Sequence, residues 1–484
     1  MGLNLAARGY KPDMTTLRAG VLGVMAALLS IGAACPAAAA PLRFGQPVWV
    51  DRQLAGGEPL VFADKAHHTL IYTSHEGTTH LYQPGLVSGA TLEFGANYRN
   101  QVNLWTSTDN GATWTRVNWL GGFVSPPVAN TGFSDPDLTQ DAGGRIYDTG
   151  IDLVNDALFS STDGGKSWTQ GTVNCSEGDR PWLAGAKKDE VFLATNTTRS
   201  GHQVFGSTDG GQSCPVNGIP DSGDDSTGHH YDGNGKLLYD RTRDALAEPI
   251  TYDDGLGVST WRRGDAAFTP HRVYTGSTYA HWPMLVEDSA STLYLIWDTD
   301  PRQAGTNGGC DGSETPAPNQ VAMSYSKDFG QTWSSPRAIA SPSNARAFWP
   351  WAVAGDAGKV SVVWYQTNKM ADLACQPAEL RVMEATVTGA SSGTPKAQTA
   401  DVVGRPIANN NICQNGTTCV ATGEDRRLGD FFTNAVDERG CVLVATGDTT
   451  QPDPLTGGAR STSLPLFVRQ TSGPRLVGKG DCST

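Results

Sequence analysis

Beyond residue 40, short apolar runs alternate with polar, glycine-rich turns, and this pattern predicts β-strands rather than helices. A recurring unit combines a polar or aromatic pair, a short apolar strand, a turn with Asp and Gly, and a second β-rich strand. Clear copies are "SDPDLTQDAGGRIYDTG" at 134–150, "HWPMLVEDSASTLYLIW" at 281–297 and "FWPWAVAGDAGKVSVVW" at 348–364. The pattern therefore predicts an all-β protein made of repeated units.

Each copy is interpreted as the first two strands, A and B, of a four-stranded sheet. Such a sheet cannot bury both faces alone, whereas a radial arrangement of several sheets buries them and protects their edges. The spacing of the copies is typical of propeller blades. We therefore predict a single β-propeller of four-stranded blades over about 42–480, with seven blades favoured and six plus decoration as the alternative. The copies lie at 57–73, 134–150, 179–195, 228–242, 281–297, 348–364 and 429–445.

A second motif also repeats, with an acidic residue in a glycine-containing turn. It reads "STDNGATW" at 107–114, "STDGGKSW" at 161–168, "STDGGQSC" at 207–214 and "SKDFGQTW" at 326–333, with a stretched version predicted at 252–261. Because one active site does not need several copies of one carboxylate, these residues are interpreted as structural. The carboxylate can bond backbone N–H groups of the turn between strands C and D, and glycine supplies positive φ. The residues are Asp109, Asp163, Asp209 and Asp328.

These boxes are similar to the S-x-D-x-G-x-x-W pattern of the bacterial neuraminidase repeat, and the chain resembles the sialidase superfamily of β-propellers. The resemblance covers nearly the whole chain after the leader. It implies a glycoside hydrolase of the exo-sialidase type acting on a polar or acidic glycan. The early segment "PLRFGQPVWVDRQ" contains no Arg-Ile-Pro motif of the sialidases, so the carboxylate-binding role is not transferred to Arg43.

The strand order predicts where a site should lie. If strand A starts at one face, the B–C and D–A loops share that face and the Asp boxes lie on the other. Residues just before each strand A then surround the mouth of the central channel, where concave sites are favoured. Carboxylates and His could act as acid and base, and Arg and Trp could bind substrate. The predicted catalytic residues are Asp135, Asp179, Asp430, His229 and His281. The predicted substrate-binding residues are Arg180, Arg346, Arg426, Trp182, Trp282 and Trp349.

Plainer interpretations of these residues stay open. The aspartates could cap turns, the arginines could form surface ion pairs, and the indoles could pack between blades. Glu58 occupies the same type of position in the first copy but receives no assigned role. The alternative to a glycosidase is a non-catalytic propeller that binds a glycan or protein at the cell surface.

The N-terminus predicts export. Arg8, Lys11 and Arg18 precede an apolar run at 19–34 and small residues at 36–40, which favours a signal peptide over 1–39. The expected location is secreted or periplasmic, with no integral membrane segment after cleavage. A lipoprotein anchored through Cys35 is the weaker alternative. The formal net charge of −13 argues against nucleic acid as a partner.

Eight cysteines follow Cys35, an even number that suggests disulfides in an oxidising compartment. We expect Cys310 to pair with Cys375 and Cys413 with Cys419. The partners of the other four stay open; they are Cys175, Cys214, Cys441 and Cys482. No metal or other cofactor is predicted; calcium is a secondary expectation, because the acidic run at 221–235 lacks EF-hand spacing.

Overall fold

A computed structural model describes most of the chain after the leader, with gaps. The described residues are 40–77, 80–82, 102–117, 134–152, 155–172, 175–197, 200–276, 282–299, 319–413, 416, 419, 424–454 and 456–483. The predicted signal peptide therefore lies outside the described residues. No helix in this part of the chain is long and apolar enough to cross a membrane.

The chain folds as a seven-bladed β-propeller, which decides between the seven and six blades considered from the sequence. Blade I contains β3 (Leu60–Asp64), β4 (Thr69–Ser74), β5 (Asn103–Ser107) and β6 (Thr115–Arg116). Blade II contains β7 (Ser134–Gln140), β8 (Ile146–Asp152), β9 (Asn155–Ser161) and β10 (Thr169–Gln170). Blade III contains β11 (Gly178–Gly185), β12 (Val191–Thr197), β13 (Gly201–Ser207) and β14 (Val216–Pro220).

The remaining blades continue this antiparallel order, and two of them carry extra strands. Blade IV contains β15 (Ser222–Asp224), β16 (His230–Gly233), β17 (Leu238–Asp240), β18 (Ala245–Tyr252), β19 (Gly255–Arg262) and β20 (Thr269–Thr275). Blade V contains β21 (Met284–Glu287), β22 (Leu293–Asp298), β23 (Val321–Ser326) and β24 (Arg337–Ala340). Blade VI contains β25 (Ala347–Ala354), β26 (Lys359–Thr367), β27 (Leu380–Thr388) and β28 (Lys396–Asp401). Blade VII contains β29 (Thr433–Val436), β30 (Val442–Asp448), β31 (Leu464–Ser472), β1 (Arg43–Phe44) and β2 (Val48–Trp49).

The ring is closed by pairing between the two ends of the propeller. Both β1 and β2 pair with β31, so the N-terminal strands complete the sheet of blade VII. The innermost strands of successive blades contact each other around the ring, and β29 lies against β3. The closure leaves one channel along the axis, with strand A of each blade as its wall.

The Asp boxes close the C–D turns of blades I, II, III and V, as the repeats predict. In blade II, Asp163 accepts hydrogen bonds from the Ser161 hydroxyl at 2.9 Å and the Ser167 hydroxyl at 2.5 Å. Burial acts to raise the pKa of Asp163, but these hydrogen bonds lower it below its usual value. Gly165 has a φ of 80° and packs beside Ile71 of blade I. Each such turn therefore docks one blade against the preceding one.

The prediction of a stretched Asp box at 252–261 is wrong. Tyr252 and Gly255 pair across the turn between β18 and β19, so this segment forms a B–C turn and then strand C of blade IV. The C–D turn of that blade follows Arg262, where Trp261 Nε1 donates to the carbonyl oxygen of Asp265. The sequence likeness arises because both kinds of turn use Asp and Gly.

Three disulfides are present among the described residues. The predicted bond between Cys413 and Cys419 is confirmed. The four cysteines whose partners the sequence did not decide form the disulfides Cys175–Cys214 and Cys441–Cys482. Cys375 is also disulfide-bonded, but Cys310 lies outside the described residues, so that pairing stays a prediction. Such bonds are compatible with an extracellular or periplasmic location.

Candidate active site

The starts of several inner strands share a strained backbone conformation. Glu58, Asp135, Arg180 and Trp349 have φ values of 49°, 51°, 63° and 52°, and each precedes a proline. Register shifts mark the same point in β7, β11 and β25. Positive φ is costly for residues with a Cβ, and bulges redirect side chains. These strand starts therefore aim selected side chains at the mouth of the channel.

Glu58 is the buried centre of a polar cluster at this mouth. Its Oε1 lies 2.9 Å from Nε2 of His80, and its Oε2 accepts a hydrogen bond from the Ser134 hydroxyl at 3.1 Å. The backbone N–H of Asp430 donates to Oε1 at 3.2 Å. Burial would raise the pKa of Glu58, but the adjacent His80 ring and Arg426 hold it well below its usual range. Glu58 is therefore ionised.

Asp135 lies beside Glu58, and its pKa is shifted in the opposite direction. Its backbone N–H donates to Oε2 of Glu58 at 3.2 Å, and Ser134 Oγ also lies 3.1 Å from its Oδ1. Burial, followed by the charges of Glu58, Asp179 and Asp430, raises the pKa of Asp135 well above its usual value. Two adjacent carboxyl groups cannot both ionise easily. Within the pair, Glu58 therefore favours the ionised form and Asp135 the protonated form.

Arg426 and Asp430 form the third side of the cluster. The Arg426 guanidinium makes a two-point ion pair with Asp430, with Nη2 to Oδ2 at 2.7 Å, and Nη2 lies 3.7 Å from Oε1 of Glu58. Arg426 is buried, so its charge is balanced within the protein. Its role in this geometry is to position the carboxylates, because its Nη atoms face Asp430 and Glu58.

Asp179 and Arg180 form the accessible rim. Their side chains are 62% and 37% exposed, and the Arg180 Nε lies 3.9 Å from Oδ2 of Asp179. The Arg180 guanidinium also lies 4.9 Å from the centre of the Trp282 ring. A loose pair at this exposure gains little stability. Both charges are therefore accessible to a ligand next to the buried pair.

Aromatic rings fill the channel beneath this rim. Trp182 contacts Trp282, Trp351 and Phe431, with ring centres 5.4, 5.7 and 5.3 Å apart. Trp351 and Phe431 stack at 5.5 Å. All four rings are buried. We call this group the aromatic plug; in it, Trp182 and Trp282, which the sequence predicts to bind substrate, pack against other rings.

Other predicted residues lie apart from the cluster. Trp349 is buried against Phe348 and Tyr365. Arg346 is buried at the start of β25, where its backbone N–H donates to Thr367 Oγ1. Neither residue has a described contact with Glu58 or Asp135.

The predicted catalytic histidines are not part of the described cluster. His229 lies in the turn between β15 and β16, with Nδ1 4.0 Å from Asp254 Oδ1. This hairpin is an insertion before β17, so the alignment of copy 228–242 placed His229 too close to the mouth. His281 lies outside the described residues.

Two histidines that no sequence pattern indicated do enter the cluster. His80 contacts Glu58, and the His75 ring stacks on His80 with centres 3.9 Å apart. Both follow β4 in the B–C segment of blade I, which shows no repeat. Burial and the charge of His80 hold the pKa of His75 well below its usual value, so His75 is neutral.

No group of three or more His, Cys, Asp or Glu side chains in the described ranges is arranged to hold a metal ion. The acidic run for which calcium was the secondary expectation contributes Asp225 and Asp224 instead to hydrogen bonds with Thr227 and His230.

No family model and no curated protein matches the sequence. Similar solved structures include a fungal alcohol oxidase of the AA5 family in complex with copper, at 12% identity and a TM-score of 0.51, covering 89% of this chain and 76% of that one. A PL25 ulvan lyase matches at 11% identity and a TM-score of 0.41, and the match covers 83% of this chain and 93% of the lyase. The α-L-arabinofuranosidase Arb93A from Fusarium graminearum matches at 14% identity and a TM-score of 0.39, and the match covers 89% of this chain and 97% of the arabinofuranosidase. At these identities the likeness concerns the fold alone.

Proposed function

We propose that the protein is an exported carbohydrate-active enzyme that hydrolyses a glycosidic bond of a polar or acidic glycan at the channel mouth. One observation carries the proposal: Asp135 and Glu58 lie side by side with pKa values shifted in opposite directions, next to the exposed Asp179 and Arg180. Glycoside hydrolysis needs one carboxylic acid and one carboxylate. The cluster supplies both states at neutral pH.

In the proposed reaction, Asp135 donates its proton to the leaving glycosidic oxygen as the bond to the anomeric carbon breaks. Asp179, the exposed carboxylate, takes a proton from the water that attacks this carbon. Arg180 binds an anionic or hydroxyl group of the glycan. The negative charge of Glu58 favours the protonated form of Asp135, and His80 and Arg426 hold Glu58 ionised and in place, so these three are positioning residues. The exo-sialidase-like specificity implied by the Asp boxes is the finer part of this proposal.

The test is a screen of fluorogenic glycosides that includes sialosides, uronides and arabinosides. It compares the wild type with Asp135→Asn, which removes the proton donor and keeps the shape. We expect a loss of about 100-fold or more in kcat, the usual scale for acid–base catalysis. Asp328→Asn is the matched control, because this Asp-box residue lies on the opposite face and should leave kcat unchanged. Equal kcat in the wild type and Asp135→Asn would contradict the assignment.

A second candidate is a non-catalytic glycan- or protein-binding propeller. The aromatic plug favours it, because Trp182, Trp282 and Phe431 fill space that a deep substrate pocket would need. Binding without turnover on a glycan array, weakened by Arg180→Ala and unchanged by Asp135→Asn, would support this candidate over the enzyme.

A further inference from the structure

The lower half of the central channel is an apolar cavity. It has a volume of about 430 Å³ and is lined by the inner strands of six blades and by the C-terminal segment. Several apolar side chains in its wall are only half-buried, although such side chains usually avoid water. Their shared exposure indicates unfilled apolar space rather than a packed core. They are Phe62, Leu238, Val286, Val353, Ala435 and Val477.

The upper end of this cavity is closed. Trp351 belongs both to the cavity wall and to the aromatic plug, so the plug separates the cavity from the polar cluster above. Lys236 Nζ lies 2.5 Å from both carboxylate oxygens of the buried Asp137 and 6.0 Å from the centre of the Trp182 ring. This ion pair is satisfied within the protein and leaves no free charge in the apolar space.

The lower end opens at the Asp-box face. Lys65, in the turn after β3, lies at this end and is exposed. Among the described residues it forms no ion pair. Glu287 also lines the cavity, and it shares the Arg243 guanidinium with Asp240: Arg243 Nη1 lies 3.7 Å from Glu287 Oε1 and forms a closer ion pair with Asp240. The opening therefore carries the exposed ammonium group of Lys65, which is not tied up in a described ion pair, beside a mainly apolar cavity.

We propose that this cavity binds one aliphatic carboxylate, with its hydrocarbon chain against the apolar wall and its carboxylate at Lys65. The volume is within the range of small-molecule sites, and a hydrocarbon chain that covers the half-exposed apolar side chains removes them from water. The Lys65 ammonium group can form an ion pair with a carboxylate head group but not with a neutral one. This site lies on the face opposite to Asp135, so it does not depend on the proposed hydrolase activity.

The experiment is calorimetric titration of the purified full-length protein with decanoate. We expect saturable binding of one equivalent in the wild type. Ala435→Phe places a ring in the cavity and should weaken binding by at least about tenfold, because ligand and ring compete for the same space. Lys65→Glu should weaken the binding of decanoate but leave the binding of decanol unchanged. Lys188→Glu is the matched control: it changes an exposed lysine in the corresponding turn of blade III and should have no effect.

No saturable binding of decanoate by the wild type would overturn the proposal, as would equal affinities in the wild type and Ala435→Phe. If Ala435→Phe does not fold, Val353→Phe fills the cavity from blade VI and is read in the same way. Equal affinities for decanoate and decanol would overturn the role of Lys65.

Discussion

Glu384 provides the sharpest stability prediction, because it is a fully buried acid in strand β27. Its Oε1 accepts hydrogen bonds from Ser361 Oγ at 2.5 Å and Thr386 Oγ1 at 2.9 Å, while Oε2 has no hydrogen-bond partner. Burial raises the pKa of Glu384 from 4.5 to about 8, against the opposing effect of the two hydroxyls. The native state therefore holds this proton at neutral pH, whereas the unfolded chain releases it.

The sign of the pH dependence follows from proton counting. Between pH 4.5 and about 8 the unfolded state binds fewer protons at this site than the native state, so Glu384 lowers stability as the pH rises. Glu384→Gln removes the titration and keeps the shape and the accepting oxygen. A pKa shift of this size corresponds to about 3–5 kcal/mol. As the pH rises from 5 to 8.5, the free energy of unfolding of Glu384→Gln should therefore increase by that much relative to the wild type.

The assay is urea unfolding of the wild type and Glu384→Gln at a series of pH values, with the disulfides intact. Other buried acids titrate in both proteins and cancel in the difference. Glu177→Gln, which changes an exposed glutamate, is the control and should follow the wild type. A difference in unfolding free energy that stays constant from pH 5 to 8.5 would refute the reasoning.

Three further changes test the propeller framework. Asp163→Asn weakens the bonds that close its turn and should cost about 1–3 kcal/mol in urea unfolding; full stability would argue against a structural role. Gly165→Ala introduces a Cβ at positive φ, 2.6 Å from Ile71 Cδ1, and should cost about 1–3 kcal/mol; an unchanged thermal midpoint would contradict the docking of blades I and II. Replacing Cys441 and Cys482 by Ser should cost about 2–4 kcal/mol, and an unchanged unfolding curve would show that the bond adds nothing.

The repeated features of the fold could be predicted because each blade meets the same physical demand. Asp163 and its counterparts occupy equivalent turns, so repetition alone identified them as structural and fixed the direction of the strands. The same register placed Asp135 and Asp179 at the opposite face. This assignment of the face followed from strand alternation, without knowledge of any side-chain contact.

Features that break the repeat could not be predicted in this way. His75 and His80 lie in a loop segment without a repeat, so nothing in the sequence linked them to Glu58. The β15–β16 hairpin displaced His229 from its expected position. Cys214 meets Cys175 because the box of blade III docks on blade II, where the Gly211 carbonyl accepts a hydrogen bond from Thr172. Contacts between neighbouring blades depend on packing that a single-chain pattern does not encode.

The central claim is that Asp135 holds a proton at the channel mouth while Glu58 is ionised. Infrared difference spectroscopy between the wild type and Asp135→Asn at pH 7 tests it without a substrate. We predict that the difference spectrum shows the loss of one protonated carboxylic acid carbonyl band in Asp135→Asn, while the contribution of Glu384 is common to both proteins and cancels. Loss of an ionised-carboxylate band instead would show that Asp135 is deprotonated and would contradict its role as the proton donor.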